Sequence, residues 1–484
     1  MNFIEQKIFE YLKDKKIILL GFGKSNQAVA EFLDKININF QIRDKKKYNL
    51  KFLKFKNSKI KFIFGENYLE NLDSDCDLIF RSPGIRPDLI KNKNLNKNLI
   101  LLSEIEFFLK FCPTENLIAV TGSDGKSTTA SLIYELLKNS CENNNKNKNN
   151  KNKKVFLGGN IGTPILPKIN KISDKDFVVL ELSSFQLITC NNINPKVAVI
   201  TNISENHLDW HKDFQEYINS KINIFKNQKR DNLFVSNFDC DILNKISEKS
   251  TSKKRFFSLK SKISDGCYLD EKKYINFCEN NKNFKIINKN KIKIPGEHNI
   301  ENFMAAIAAC YDFVNIENIK YLANNFKSLA HRIEFVAEIN GVCYYDDSIA
   351  TTPNRVLKGA FSVFENNNNN NNILLIAGGY DKNLNFEELA KEICNKVKIL
   401  VLIGQTAEKI KNCIINCNNL KKPEILNADS MQSAVNLAYK NSLKNDINIV
   451  LLSPACASYG MYSNFEERGD DFKNHVLNLK KLIN

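Results

Sequence analysis

No stretch of the 484-residue chain reaches about 18 uncharged apolar residues, the length a helix needs to span a bilayer, so no membrane insertion is expected. The opening residues, Met1-Asn2-Phe3-Ile4-Glu5-Gln6-Lys7, lack a basic segment followed by an apolar core, and a secretory signal is not expected. Thirteen cysteines occur without a Cys-x-x-Cys pair. Cys413 and Cys417 stand closest together, yet no His or Cys cluster beside them completes a zinc site. An odd, scattered set of thiols suits a reducing cytoplasm and argues against a disulfide framework. A short-period internal repeat is also missing.

A single basic patch with interleaved aromatic residues is not expected either. The net charge of +16 invites a nucleic-acid partner, but lysines run along the whole chain together with asparagines, as in Asn143-Asn144-Asn145-Lys146-Asn147-Lys148. That distribution reads as compositional bias and not as one basic face, so no nucleic acid is expected. Diffuse positive charge also suits small anionic substrates.

What is present argues for an α/β protein of two or three domains. Apolar residues make up 43% of the chain, enough for sizeable cores. Short β-rich runs alternate with longer helical patterns, which favours largely parallel sheets. The strand candidates are Ile17–Leu20, Leu117–Val120, Phe177–Leu180, Val197–Ile200, Ile373–Ile376, Ile399–Ile403 and Ile449–Leu452. They fall into three groups, with expected domains at residues 1–111, 112–330 and 331–484. Two low-complexity stretches, Glu142–Lys154 and Asn366–Asn372, cannot bury apolar surface and are expected to be disordered surface loops.

The strongest local signal is the glycine-rich turn Thr121-Gly122-Ser123-Asp124-Gly125-Lys126-Ser127-Thr128. A strand enters it, and a helix over Ser127–Leu137 leaves with Ala130, Ile133 and Leu137 on one face. Glycines let backbone N–H groups close around phosphate oxygens, and the helix N-terminus adds its positive end. Lys126 would then reach the outer phosphates, while Ser127 or Thr128 offers a hydroxyl to Mg²⁺. The first glycine of the usual G-x-x-x-x-G-K-[ST] pattern would fall at Val120. A second turn, Gly21-Phe22-Gly23-Lys24-Ser25-Asn26, has Asn26 where a dinucleotide fingerprint has its third glycine, which weakens an NAD reading.

The shorter loop Gly122–Thr128 resembles that of the Mur ligase and folylpolyglutamate synthase superfamily. The resemblance continues through Gly158-Gly159-Asn160-Ile161-Gly162, Leu180-Glu181-Leu182-Ser183-Ser184-Phe185-Gln186-Leu187 and Thr201-Asn202-Ile203-Ser204-Glu205-Asn206-His207-Leu208-Asp209. It includes Gly296-Glu297-His298-Asn299 with Asn302, and His331-Arg332-Ile333-Glu334. The segment Leu452-Ser453-Pro454-Ala455-Cys456-Ala457-Ser458, followed by Asn464-Phe465-Glu466-Glu467-Arg468-Gly469, is similar to the D-glutamate-adding branch. Both that segment and the UDP-like first turn speak against a folate-type ligase.

This resemblance implies a Rossmann-like amino-terminal domain, a central P-loop ATPase-like domain and a Rossmann-like carboxyl-terminal domain. It implies ATP-dependent amide formation between UDP-N-acetylmuramoyl-L-alanine and D-glutamate through an acyl phosphate, by a cytoplasmic monomer of peptidoglycan precursor synthesis. By the same resemblance Gly122, Ser123, Asp124, Gly125, Lys126, Ser127 and Thr128 hold ATP phosphates, with Asn302 near the adenine, Arg332 on the phosphates and Asp347 near the ribose. Ser127, Thr128, Glu181, His207 and Lys221 are the implied metal set for two Mg²⁺, with Lys221 carbamylated. Lys126, His207 and Lys221 are the implied catalytic residues. Lys24, Ser25, Asp44, Ser82, Pro83, Gly84 and Asn160 are the implied contacts to the uridine nucleotide. Thr351, Lys382, Ser458 and Phe465 are the implied D-glutamate contacts.

Two departures stand out. Many members carry lysine where this chain has Ile349, which removes a cation. Asp124 replaces a common asparagine and adds negative charge beside the phosphates. Cys456 has neither base nor orienting acid among its sequence neighbours, and no nucleophilic role is expected for it.

Overall fold

The computed structural model describes residues 1–48, 55–56, 60–70, 72, 76–91, 99–145, 153–364, 372–419, 421–445 and 447–483. The first sheet contains β1 (Ile17–Leu20), β2 (Gln41–Asp44), β3 (Lys61–Phe64), β4 (Leu78–Arg81) and β5 (Ile100–Leu102). All its pairings are parallel, in the order β3-β2-β1-β4-β5. The strand order reverses at β1, so the carboxyl ends of β1 and β4 open into a crevice. In sheets of this kind that crevice is where ligands sit.

The second sheet contains β6 (Leu117–Thr121), β7 (Val155–Gly159), β8 (Phe177–Glu181), β9 (Val197–Ile200) and β10 (Leu233–Asn237). It continues with β11 (Lys253–Ser258), β12 (Gly266–Leu269), β13 (Tyr274–Glu279) and β14 (Lys282–Asn288). The order is β14-β13-β12-β11-β10-β9-β6-β8-β7, parallel from β7 through β12 and antiparallel over β12–β14. Here β6 lies between β8 and β9 and forms a second reversal point. The third sheet contains β15 (Glu334–Ile339), β16 (Val342–Asp346), β17 (Ile373–Ala377), β18 (Val397–Ile403), β19 (Glu424–Ala428) and β20 (Ile449–Leu452). Its order is β15-β16-β20-β17-β18-β19, with β15 alone antiparallel.

All seven apolar runs are strands, because both faces of these parallel strands are covered. Ile17–Leu20, Val197–Ile200 and Ile449–Leu452 are each buried along their length, the pattern of doubly covered sheets. The chain divides into two compact units, residues 1–292 with 298–324, and residues 293–297 with 325–484. The first unit holds two of the three α/β domains. One continuous core joins them, with Phe80 and Phe107 of the first domain in the same cluster as Leu117, Leu166 and Leu187 of the central one.

The phosphate-loop helix runs over Lys126–Asn145, longer than its sequence pattern suggests. Glu142–Asn145 is therefore helical and not loop. The helix continues because Leu136, Leu137 and Cys141 extend the apolar stripe, and Ser140 Oγ donates to Phe313 O at 3.0 Å. Residues 146–152 and 366–371 of the low-complexity stretches lie outside the described residues. Asn372 carries a carbonyl that accepts from Asn448 and Ile449 N–H groups.

The helix Glu104–Phe111 joins the two domains of the first unit. Ser103 and Glu106 close a capping box at its start, which satisfies two helix donors. Glu104 is buried, and its Oε1 accepts the Leu166 N–H at 2.8 Å. Burial pushes this carboxyl up to about 7, from an ordinary value of 4.5. Between those pH values the unfolded chain has released a proton that the folded chain retains, so stability falls as pH rises through the window and levels off above it. Glu104→Gln is expected to flatten that slope. Urea midpoints for both proteins at the two ends of the window check it; an unchanged slope would place the pH dependence elsewhere.

Candidate active site

The phosphate loop is built where β6 ends. Gly122 has φ +152° and Gly125 φ +75°. A Cβ on Gly122 would overlap Thr201 Oγ1, and one on Gly125 would overlap Asn302 Oδ1. Glycine is thus required at both positions by close approach as well as backbone conformation. The end of β9 pins the loop: Thr201 Oγ1 donates to Asp124 O, and Asp124 N–H donates to Asn202 Oδ1 at 2.8 Å. Ser123 Oγ lies 2.8 Å from the Tyr217 hydroxyl. Lys126 Nζ donates to Ser123 O at 2.7 Å, folded back over its own loop. The helix then presents its N-terminus with Ser127 half-buried and Thr128 buried.

Glu181, the last residue of β8, is paired in register with Val120 of β6. It is buried; its Oε1 accepts Asn160 Nδ2–H at 3.1 Å, and its Oε2 is without a hydrogen-bond partner among the described residues. An orphaned carboxylate oxygen inside a protein is costly and suits a hard divalent cation. Lys221 lies on the helix Phe214–Ile222 and is 1% exposed. Its Nζ donates to Gly122 O at 2.6 Å and approaches Thr121 Oγ1 at 3.4 Å. Burial first, and Lys126 second, push this amine well below the usual lysine range, while Asp124 and Glu181 oppose them. The exposed Asp124 carboxylate thus lies in the same group as the Lys126 and Lys221 amines and Glu181. His207 has φ +56°, and its ring lies 4.8 Å from Phe185. The Glu181 carboxylate and the loop hydroxyls are oxygen donors of the kind Mg²⁺ takes, and Lys221 suits their company only when it is not an ammonium ion.

At the first reversal point, Gly21 has φ +78° and packs on Ser82. Asp44 organises this turn: its Oδ2 accepts the Phe22 N–H and its Oδ1 accepts the Lys46 N–H at 2.7 Å. Asn26 is fully buried and donates to the carbonyls of Leu20, Gly21 and Phe80. It ties β1 to β4, a structural reason for asparagine in place of a third glycine. Lys24 is exposed and Ser25 half-buried at the start of the helix Lys24–Lys35. Asn160, grouped by resemblance with the uridine contacts, directs its amide to Glu181. Asn302, expected near the adenine, packs against Gly125 and accepts from Thr129 Oγ1 at 3.2 Å.

In the second unit, Arg332 stands between two left-handed residues, His331 at φ +65° and Ile333 at φ +46°. Asp347 is buried, accepts Ser453 Oγ–H at 2.6 Å, and is pushed up to about 7 by burial, with Arg332 opposing. Lys382 is exposed with Nζ 5.4 Å from the Tyr459 ring. Ser458 is buried, Thr351 half-buried, and the Phe465 ring lies 6.1 Å from His331. At the position lacking lysine, the Ile349 carbonyl accepts Arg355 Nη1–H at 3.0 Å. Cys456 is buried, with its thiol pushed up to about 11 by burial, the profile of an inert core residue. His331, Glu334 and Asp346 are close enough to suggest a metal cluster. However, His331 Nδ1 is 2.8 Å from Asp346, and Glu334 accepts Lys473 Nζ–H at 3.1 Å; the group reads as an ion-pair network.

Family models match in chain order: the MurD N-terminal domain at residues 16–89, the Mur ligase middle domain at 120–310, and the Mur ligase glutamate ligase domain at 331–456. A UDP-N-acetylmuramoylalanine–D-glutamate ligase of Clostridium kluyveri is 43% identical, with 96% of this chain and 97% of that protein aligned. The ligase of the same name from Clostridium botulinum is 40% identical over 98% and 99%. The chain belongs to the Mur ligase family. Among solved structures, a Thermotoga maritima UDP-N-acetylmuramate-alanine ligase aligns with TM-score 0.56 at 18% identity, covering 96% of this chain and all of that one. The MurF ligase of that organism, in complex with ADP, aligns with TM-score 0.55 at 17% identity over 99% and 100%. Both share the fold.

Several residues of this Mur ligase's site escaped the motif reading. Arg81 is fully buried and donates to Pro83 O and Ile85 O, and to Phe185 O and Thr189 Oγ1 across the two domains. A charge ending the apolar run Leu78-Ile79-Phe80 was its signal. Arg468, which stands in the Asn464–Gly469 segment but was given no role there, is buried and donates to Cys456 O and Ser348 O. Arg86, Trp210 and His211 carried no signal in isolation. Gly125→Ala is expected to weaken nucleotide binding about 10-fold or more, because it adds left-handed strain and displaces Asn302. A fluorescent-nucleotide titration at matched circular dichroism checks this.

Proposed function

We propose that the protein joins D-glutamate to UDP-N-acetylmuramoyl-L-alanine with ATP, in the cytoplasm, for peptidoglycan precursor synthesis. The observation that carries this reading is the near-full-length similarity to D-glutamate ligases, together with a buried, cation-ready Glu181 beside the phosphate loop. The γ-phosphoryl of ATP passes to the L-alanyl carboxylate, forming a P–O bond as ADP leaves. The D-glutamate amine then attacks the acyl carbon, loses its proton, and phosphate departs as the amide forms. Phosphoryl transfer depends on positioning and charge neutralisation.

Lys126 and the N–H groups of Gly122–Thr128 hold the ATP phosphates, with Arg332 as a planar donor to phosphate oxygens. Asn302 supports the loop from behind Gly125, and Asp347 faces the ribose. Ser127, Thr128, Glu181, His207 and Lys221 hold Mg²⁺, which when bound neutralises phosphate charge. A neutral Lys221 amine is the form that reacts with CO₂, and the resulting carbamate exchanges a repelled cation for an anion. Lys24, Ser25, Asp44, Ser82, Pro83, Gly84 and Asn160 surround the uridine nucleotide. Thr351, Lys382, Ser458 and Phe465 receive D-glutamate, with Lys382 paired to its carboxylate. The protein acts as a monomer.

The deciding assay is phosphate release from Mg-ATP with UDP-N-acetylmuramoyl-L-alanine and D-glutamate, L-glutamate, D-alanine, L-lysine or diaminopimelate. Release with D-glutamate alone is expected; release only with another amino acid would move the specificity, and none at all would sink the reading. Carbamylation has its own test. Protein equilibrated with ¹³C-labelled CO₂ is expected to show a carbamate carbonyl resonance that Lys221→Arg lacks.

A further inference from the structure

Trp210 is the single tryptophan of the chain. Its indole Nε1–H donates to Gly84 O at 3.1 Å, reaching from the central domain to the loop that follows β4. Its ring lies 4.6 Å from Phe185, and Phe185 lies 4.8 Å from the His207 imidazole. Two rings, those of Trp210 and Phe185, thus connect the Gly84 carbonyl to the His207 imidazole. The backbone repeats the connection, since the N–H groups of Trp210 and His211 both donate to His207 O. His207 is held left-handed, an arrangement that surrounding contacts must over-determine.

The assembly is braced on its outer side. The Arg86 guanidinium lies 5.1 Å from the Trp210 ring, donates to Trp210 O and bonds Glu216. A second arm reaches the phosphate loop: His211 contacts the Trp210 ring at 4.7 Å and the Tyr217 ring at 5.3 Å, and the Tyr217 hydroxyl meets Ser123 Oγ. The facing titratable groups are Glu216, whose carboxyl the Lys212 N–H and the Arg86 guanidinium hold below the usual range against burial, and His211, lowered by burial.

We propose that Trp210 is a positioning residue that couples occupancy of the Ser82–Gly84 loop to the orientation of the His207 imidazole, so that sugar-nucleotide binding prepares the cation site. The proposal rests on reading Ser82–Gly84 as the diphosphate loop and His207 as a cation ligand. A ligand that displaces the Gly84 carbonyl changes the bond that holds the indole, and the rings pass the change to His207. Coupling of this kind is reciprocal, so cation binding must tighten the sugar nucleotide by the same factor.

The lone tryptophan reports its own site. The full-length protein is titrated with UDP-N-acetylmuramoyl-L-alanine without ATP, following tryptophan emission, with calorimetry on the same samples. Mn²⁺ binding in the presence of ADP is measured by electron paramagnetic resonance with and without the sugar nucleotide. The native protein is expected to show a saturable emission change and Mn²⁺ binding tightened about 5-fold or more by the sugar nucleotide. Phe185→Leu, which removes the middle ring, is expected to keep the emission change and lose the tightening. Trp210→Phe, which keeps a stacked ring and loses the Gly84 bond, is expected to lose the tightening too. Calorimetric binding with unchanged emission, or undiminished tightening in Phe185→Leu, overturns the relay and leaves the ligase reading intact. No calorimetric binding overturns both.

Discussion

A lysine amine buried to 1% exposure constrains the whole catalytic end of the central domain. Removing an ammonium from water is expensive unless close partners compensate. Lys221 finds the Gly122 carbonyl at 2.6 Å, with the fields of Asp124 and Glu181 opposing that of Lys126. The carbonyl of the first loop glycine is thereby committed to the interior, and the loop's course from β6 into its helix follows. Thr201, Asn202 and Asn302 close on that loop so tightly that neither glycine could carry a side chain.

The two parallel sheets of the first unit place their ligand-facing segments by the same rule. Where strand order reverses, neighbouring loops diverge and leave a crevice at the carboxyl ends. In the first sheet this exposes the Gly21–Ser25 turn and the Ser82–Gly84 loop. In the second it gathers the phosphate loop, Glu181 and the segment after β9. Arg81 knits the two together: a fully buried guanidinium divides its donors between the loop after β4 and the Phe185 and Thr189 region of the central domain. Burial lowers its affinity for the proton to about 10 while Glu106 favours the charge, so the bridging cation persists at neutral pH.

Charge and shape divide the second unit differently. Its buried carboxylates hold neighbouring groups in place: Asp346 accepts the Ser348 N–H and lies against the His331 ring nitrogen, and Asp347 accepts the Ser453 hydroxyl. Gly469 allows the last helix to approach within contact of His331, Ser348 and Asp346. The Arg355 guanidinium at the Ile349 carbonyl brings positive charge to the turn whose side chain lacks it.

The sequence by itself determined the strands, the phosphate loop and the order of the motifs, because these depend on local apolar runs, glycine conformation and short spacing. Ile17–Leu20 and Leu117–Thr121 read as strands for the reason they are strands: both faces are buried. The extension of the Lys126–Asn145 helix through an Asn-rich end was not legible, since only packing on Ser140 and Cys141 carries it. Tertiary structure alone decided that Asn160 turns to Glu181, that Asn302 closes on Gly125, and that one Glu181 oxygen is left without a partner among the described residues. It also decided the meeting of Gly84, Trp210, Phe185 and His207. These contacts join residues from 21 to more than a hundred positions apart, and no local propensity encodes them; they exist because two sheets share one core and bring their loop ends together.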